Sequence, residues 1–378
     1  MAQREPDRVP VGEFGIDFTI VEQVLGHPSF YRAKGKERQA MWAGRRAEVV
    51  RSQMEDLVAL VRALDLDLVP VFLTYGVRID YRPARMLDAW TWEDGAGGIW
   101  KTTEETGDAL CVQPAPVTRA DAERMLAEPL HVDESELALV HHVVRELGAT
   151  HFIVGRGWHS PPSWTDGSFL EPGEGLTLRV NDFLLMLVDD PGLADLLLRA
   201  HTKRAIEYSR VLVAAGVDAI LINADYCHNK GPWVSPSMFE RFVLPRLREQ
   251  VEACHAAGVY AIKHTDGLTW KLLDMMVDAG IDGLHGIQPG IGMDMRTLKE
   301  RYGSRITLFG AVDCDTLVTG TPQDVAREVE YCLRYAAPGG GLVLTSSNSI
   351  QAGSRYDNYL AMLRTARALG GYPLTWAT

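Results

Sequence analysis

At 378 residues, 46% hydrophobic and 23% charged, the chain has the length and composition of about two or three ordinary folded domains, or of one large α/β barrel with additions. Its 38 basic against 50 acidic residues, a net charge of -12, argue against nucleic acid and anionic membrane surfaces as partners, because both are bound through clustered Lys and Arg. No stretch approaches the roughly 18 to 20 apolar residues of a membrane span, and the run Phe183 to Val188 stops at Asp189 and Asp190.

The first ten residues, Met1 to Pro10, are polar and of both charge signs, without the apolar core of a secretory signal. The five cysteines (Cys111, Cys227, Cys254, Cys314, Cys332) are widely spaced with no C-x-x-C pair. Reduced thiols in a cytoplasmic protein are the expectation.

From Lys36 to Leu66 the apolar positions Val50, Met54, Leu57, Val58 and Val61 predict one amphipathic helix. It leads into a short apolar run, Asp67 to Tyr75, of strand length. The same unit then recurs. Helix 134–147 precedes strand 150–155, 193–215 precedes 217–225, 236–257 precedes 258–264, 268–279 precedes 280–287, 294–302 precedes 305–310, and 323–336 precedes 340–346. A helix over 358–369 closes the chain.

Strands alternating with helices at these loop lengths predict a parallel sheet. A (β/α)8 barrel of TIM type fits better than a doubly wound sheet, because Ala-Gly helix ends feed strands at near-constant intervals and no phosphate-binding glycine loop follows a strand. No eighth strand is apparent. The chain 1–378 therefore reads as a single barrel domain, with an N-terminal helical segment over 1–66. Two segments break the rhythm: a Trp-bearing hairpin or lid inserted over 82–116, and a Gly/Pro/Trp-rich loop between Arg156 and Arg179.

In an α/β barrel the chemistry belongs at the C-terminal strand ends, so the polar residues there are candidates. They are Thr74 and Tyr75, Arg156, Asn223 and Asp225, His264 and Asp266, His285 and Gln288, Asp313, and Ser346 to Asn348. His264 and Asp266 form the sharpest pair, able to share a proton or hold a cation; the alternative for Asp266 is a helix N-cap. Asp225 is the second carboxylate. Asp313 has a turn and His285 a satisfied core histidine as alternatives. Trp158 and Trp164, with Trp90, Trp92 and Trp100, suggest an aromatic-lined pocket, and Arg156 or Arg355 would pair with an anionic group on its ligand.

Several runs in order resemble the uroporphyrinogen decarboxylase-like superfamily. They are Asp225 with Gly231–Pro245, Ile262-Lys-His-Thr-Asp-Gly267, Gly280–Gly283, Asp294–Gly303, Gly310-Ala-Val-Asp313, Gly320–Val325 and Ala337–Ile350. The resemblance runs from about Thr150 to the C-terminus and implies the barrel. It also implies one of two chemistries. The decarboxylases hold a tetrapyrrole with an Arg-rich N-terminal segment and an Asp at an early strand end. Here Arg38-Gln-Ala and Ala43-Gly-Arg-Arg46 are only superficially similar, and the early strand ends in Thr74-Tyr75-Gly76 without the Asp.

The other branch comprises zinc-dependent methyltransferases acting with corrinoid proteins. Their metal motif is His-x-Cys plus a later Cys. His264 matches the His, Asp266 stands at the first Cys, and Ser346 to Asn348 at the second. Replacing thiolates by oxygen donors weakens and hardens the site, so either a divalent metal stays on His264 and Asp266, with Zn2+ the family's ion, or the pair works as a general acid without one.

The leading expectation is a substrate:corrinoid-protein methyltransferase, such as an O-demethylase of a methoxylated small molecule, an aromatic one for example. His264, Asp266 and Asp225 would be catalytic, with Tyr75, Arg156, Trp158, Trp164, Gln288, Asn348 and Arg355 binding substrate. The expected partners are that small molecule and a corrinoid protein, with the chain as a homodimer. The alternatives are a decarboxylase or lyase acting on a small carboxylic acid or porphyrinogen-like compound, and a non-catalytic ligand-binding barrel.

Overall fold

The computed structural model describes residues 3–103, 107–158 and 180–376. Its strands in chain order are β1 (Leu68–Val71), β2 (Arg85–Met86), β3 (Thr91–Glu93), β4 (Ile99–Thr102), β5 (Ala109–Gln113), β6 (Phe152–Arg156), β7 (Ala219–Asn223), β8 (Cys227–His228), β9 (Gly231–Pro232), β10 (Tyr260–His264), β11 (Gly283–His285), β12 (Thr307–Phe309) and β13 (Leu342–Val343).

Seven of them pair in parallel in the order β1-β6-β7-β10-β11-β12-β13. Each of the seven coincides with one of the predicted strand runs. The order never reverses, so the sheet is not doubly wound. Its two edges are joined by an N-terminal segment. Val11 bridges Leu344 beyond β13, and Gly12 bridges Leu68 of β1, both in parallel. The Gly12 N–H donates to the Leu344 carbonyl at 3.1 Å, and Asp67 N–H donates to the Val11 carbonyl at 2.7 Å. This segment is the stave that closes the barrel, inside the stretch expected to be helical.

Alternation along the strands divides the core into two layers. Leu68, Val154, Ala219, Leu221, Ile262 and Phe309 fill the lumen together with Phe14. Val69, Val71, Ile153, Ile220, Ile222, Ala261, Leu284 and Leu308 belong to the larger cluster shared with the surrounding helices. With Ile262 lumen-facing, His264 two residues on shares its face, level with Asn223 of β7 and His285 of β11.

The helix read as continuous from Lys36 to Leu66 is two, Gly35–Trp42 and Arg46–Leu64, broken at Gly44. The helix beginning at Pro236 has Ser235 as its N-cap and carries a π-helical turn, Phe239–Val243, immediately before Leu244-Pro245. A proline there supplies no N–H to the preceding turn, which is the ordinary cause of such a widening.

The inserted segment is a four-stranded antiparallel sheet, β2-β3-β4-β5, rather than one hairpin. Trp92 and Trp100 are its core, 0% and 1% exposed, closed by Trp42 and Cys111. They therefore do not line a ligand pocket, and the aromatic-pocket expectation is withdrawn for both. Among the described residues no helix is long and apolar enough to cross a membrane, and no disulfide joins any of the five cysteines.

Candidate metal and acid-base site

Asp225 follows β7, His264 ends β10 and Asp266 lies in the turn after it, so three consecutive features of the barrel mouth meet. Among the described residues, one ligand atom from each of these three lies within 4.8 Å of the others. His264 Nε2 is 3.7 Å from Asp225 Oδ1 and 3.9 Å from Asp266 Oδ1. The Asp266 N–H donates to Asp225 Oδ1 at 2.9 Å, tying the two turns together.

The turn can lie this close because of Gly267, at φ +90, where a Cβ would come within 2.6 Å of the Cys227 backbone. Gly267 N–H also donates to Gln288 Oε1 at 2.7 Å. Asn348 Nδ2 donates to Asp266 Oδ2 at 2.5 Å, leaving Asp266 Oδ1 buried and without a hydrogen bond. Burial, and after it the neighbouring Asp225 charge, push the Asp266 carboxyl well above the ordinary carboxylate range.

Beneath the cluster lies Lys263, fully buried on the helix-facing side. Its ammonium donates to the carbonyls of Ala224 (2.6 Å), His264 (2.6 Å) and Ile222 (3.2 Å), pinning the ends of β7 and β10 where Asp225 and His264 emerge. It also lies 4.1 Å from the centre of the Tyr226 ring. Burial pushes Lys263 down to about 7 against the raising influence of Asp225. His285 Nδ1 meets His264 Nδ1 at 2.9 Å. Burial, and then the His264 charge, hold His285 well below the usual histidine range.

The other predicted residues scatter. Arg156 ends β6 near Arg32; burial, and then the Arg32 charge, push it down to about 10. Arg32 itself is paired with buried Asp17 at 2.8 Å. The Trp158 ring packs edge-on against Tyr208 at 5.6 Å. Trp164 lies outside the described residues, as does the Gly/Pro/Trp loop from 159 to 179. Tyr75 packs with Ala40, Met41, Val49 and Val50, its ring edge-on to Tyr81 at 4.8 Å. Arg355 is exposed at the N-cap of helix Tyr356–Leu369 and donates to the Gly320 carbonyl at 3.3 Å.

Asp313 caps helix Cys314–Thr319, which is its turn reading. Thr269, not Asp266, is the N-cap of helix Trp270–Asp278, so the capping alternative for Asp266 falls.

Sequence reasoning missed Glu13 and Phe14, which the closing stave carries. Glu13 accepts from Ser346 N–H at 2.8 Å and Ser346 Oγ at 2.7 Å. Ser347 Oγ donates to Cys314 Sγ at 3.3 Å. The second-cysteine position is thus engaged elsewhere, apart from Asn348. Two carboxylates and an imidazole, one carboxylate oxygen unbonded and buried, fit a divalent cation that takes oxygen and nitrogen donors, zinc among them.

The uroporphyrinogen decarboxylase (URO-D) family model matches residues 164–369. The chain belongs to that family. A uroporphyrinogen decarboxylase of Methylococcus capsulatus is 26% identical over 61% of this chain and 64% of its own length. A methylcobamide:CoM methyltransferase MtaA of Methanosarcina barkeri is 28% identical over 46% of this chain and 51% of its own. The chain thus covers less than two thirds of either relative. A methyltransferase from Methanosarcina mazei, 20% identical, superposes with a TM-score of 0.66 over 96% of this chain and 95% of that one, a likeness of fold. The relatives this chain is similar to thus include decarboxylases and methyltransferases.

Proposed function

We propose that this chain transfers a methyl group from a small methylated compound, such as a methoxylated aromatic, to a cob(I)amide carried by a partner protein. The supporting observation is the Asp225, His264 and Asp266 cluster at the strand ends, in a family that includes methylcobamide-dependent methyltransferases. The methyl carbon–oxygen bond breaks, the methyl cation equivalent goes to Co(I), giving methyl-Co(III), and the released phenoxide takes a proton.

A divalent cation held by Asp225, His264 and Asp266 would supply Lewis-acid activation of the departing oxygen or sulfur. The chain's own part is to place and protonate. Asn348 holds one Asp266 oxygen, and the other lies 3.9 Å from His264 Nε2. With its carboxyl pushed above the ordinary range, Asp266 holds a proton more readily than an ordinary carboxyl group and could pass it to the leaving oxygen when no cation is bound. Lys263 fixes the backbone on which Asp225 and His264 sit. Arg156, at the end of β6, would take an anionic group of the donor.

The test is to purify the full chain without chelator, measure bound metal, and offer cob(I)alamin with a panel of methoxy, methylthio and methylamine compounds. About one equivalent of zinc, lost in His264→Ala, with methylcobalamin formed from at least one donor, is expected. A metal-free protein that methylates no acceptor would overturn the reading. Release of CO2 from a carboxylated substrate would instead place the chain with the decarboxylases.

A further inference from the structure

We propose that His285 is a positioning residue that sets the tautomer of His264, so that loading the cluster with a cation reverses the proton arrangement of both rings. This rests on reading Asp225, His264 and Asp266 as a cation-holding set.

The two histidines are direct register partners on adjacent parallel strands, β10 and β11. Their Nδ1 atoms face each other at 2.9 Å, with ring centroids 4.9 Å apart. A hydrogen bond between two like nitrogens requires one proton between them, so one ring alone carries Nδ1–H. The His285 ring is 1% exposed. Phe14 of the closing stave packs on it, centroids 4.3 Å apart, which resists turning the ring to offer its other nitrogen.

With no cation, His264 Nε2 faces carboxylate oxygens at 3.7 Å and 3.9 Å, and the proton belongs on Nε2. His264 Nδ1 is then the acceptor and His285 Nδ1–H the donor. A cation needs the Nε2 lone pair. In neutral His264 the proton then sits on Nδ1 and is given to His285 Nδ1, leaving His285 protonated at Nε2. His285 Nε2 is buried and not committed to a hydrogen bond, which leaves it to take the proton on loading. The pair holds two ring protons before and after: the one on His264 Nε2 leaves, the shared one changes owner, and one arrives at His285 Nε2.

The experiment is zinc titration against a competing chelator, with 15N histidine spectra of the full chain recorded in parallel. On adding zinc, His264 is expected to pass from the Nε2–H to the Nδ1–H form and His285 the opposite way. His285→Leu removes the acceptor and is expected to weaken zinc binding roughly 10- to 100-fold, while His285→Gln, whose amide oxygen can accept, restores most of it. An unchanged His285 tautomer on zinc binding, or wild-type zinc affinity in a folded His285→Leu, would overturn the proposal and leave the cluster reading intact. Wild-type protein that takes up no zinc would overturn both. The spectra use wild-type protein, so the tautomer arm stands even where a variant fails to fold.

Discussion

Glu13 shows what the barrel asks of single side chains. It is 1% exposed, both its oxygens are engaged by Ser346, and burial pushes its carboxyl up to about 8. Between the ordinary value of 4.5 and about 8 the folded chain keeps a proton that the unfolded chain has lost. The folded state binds more protons, so stability falls as pH rises through this window and levels off above it. Glu13→Gln cannot titrate. Denaturant unfolding at a series of pH values should show the wild type losing stability relative to this variant, by at most roughly 1.4 kcal/mol per pH unit; parallel curves would refute it. The residues that could be read from the sequence were those whose position and type agreed. His264, Asp266 and Asp225 are polar groups at strand ends, and they converge. Arg355 had the right chemistry, but it stands at a helix start and its guanidinium is used on a carbonyl of the chain. Glu13 was missed because its strand was missed.

At the scale of elements, the seven paired strands were legible because each is a short apolar run preceded by a helix and bounded by small or polar residues. The closing stave was not, because Pro10, Gly12 and Gly15 interrupt its apolar run and its pairing consists of isolated bridges. The break at Gly44 escaped for a similar reason: apolar spacing continues across it, and only the backbone records the change. The stave's fit against β1 depends on Gly12, where a Cβ would lie 2.5 Å from the Leu68 Cβ. Neither atom belongs to a flexible chain end, so the barrel seam must open to admit a methyl group. Gly12→Ala is expected to cost roughly 1–3 kcal/mol, read as a lowered urea midpoint. Gly95→Ala, in a turn of the inserted sheet with nothing within 4 Å of its Cβ, is the control and should shift stability by less than about 0.5 kcal/mol. Equal shifts in the two variants would mean that the seam is not where the packing is tight.

For the whole molecule, the question is how a four-stranded sheet with so small a core stays folded on a barrel. The apolar core of β2 to β5 is Trp92, Trp100 and Ala109, and the helix Gly35–Trp42 completes it with Trp42, edge-on to Trp92 at 5.2 Å. That helix also supplies the polar ties. Arg38 Nη2 donates to the Gly107 carbonyl at 2.9 Å and to Thr102 Oγ1 at 3.2 Å, and its guanidinium lies 4.8 Å over the Trp92 ring. Just before the helix, Lys34 bridges Asp108 of the insertion at 3.1 Å and Asp17 after the closing stave at 2.7 Å. The Arg38-Gln-Ala run that resembles a tetrapyrrole-binding segment is therefore occupied in fastening the insertion. The sheet should behave as a unit that opens separately from the barrel, with Arg38 as its main polar anchor. Arg38→Ala leaves two acceptors of a charged donor without it, a loss of roughly 1.5–3 kcal/mol. Amide hydrogen exchange should then speed up roughly 10- to 100-fold across β3, β4 and β5, while protection in β1, β6, β7 and β10 stays as in the wild type. Uniform acceleration over both sheets would show instead that insertion and barrel unfold together, and unchanged exchange in β3 to β5 would show that the tryptophan core holds the sheet without Arg38.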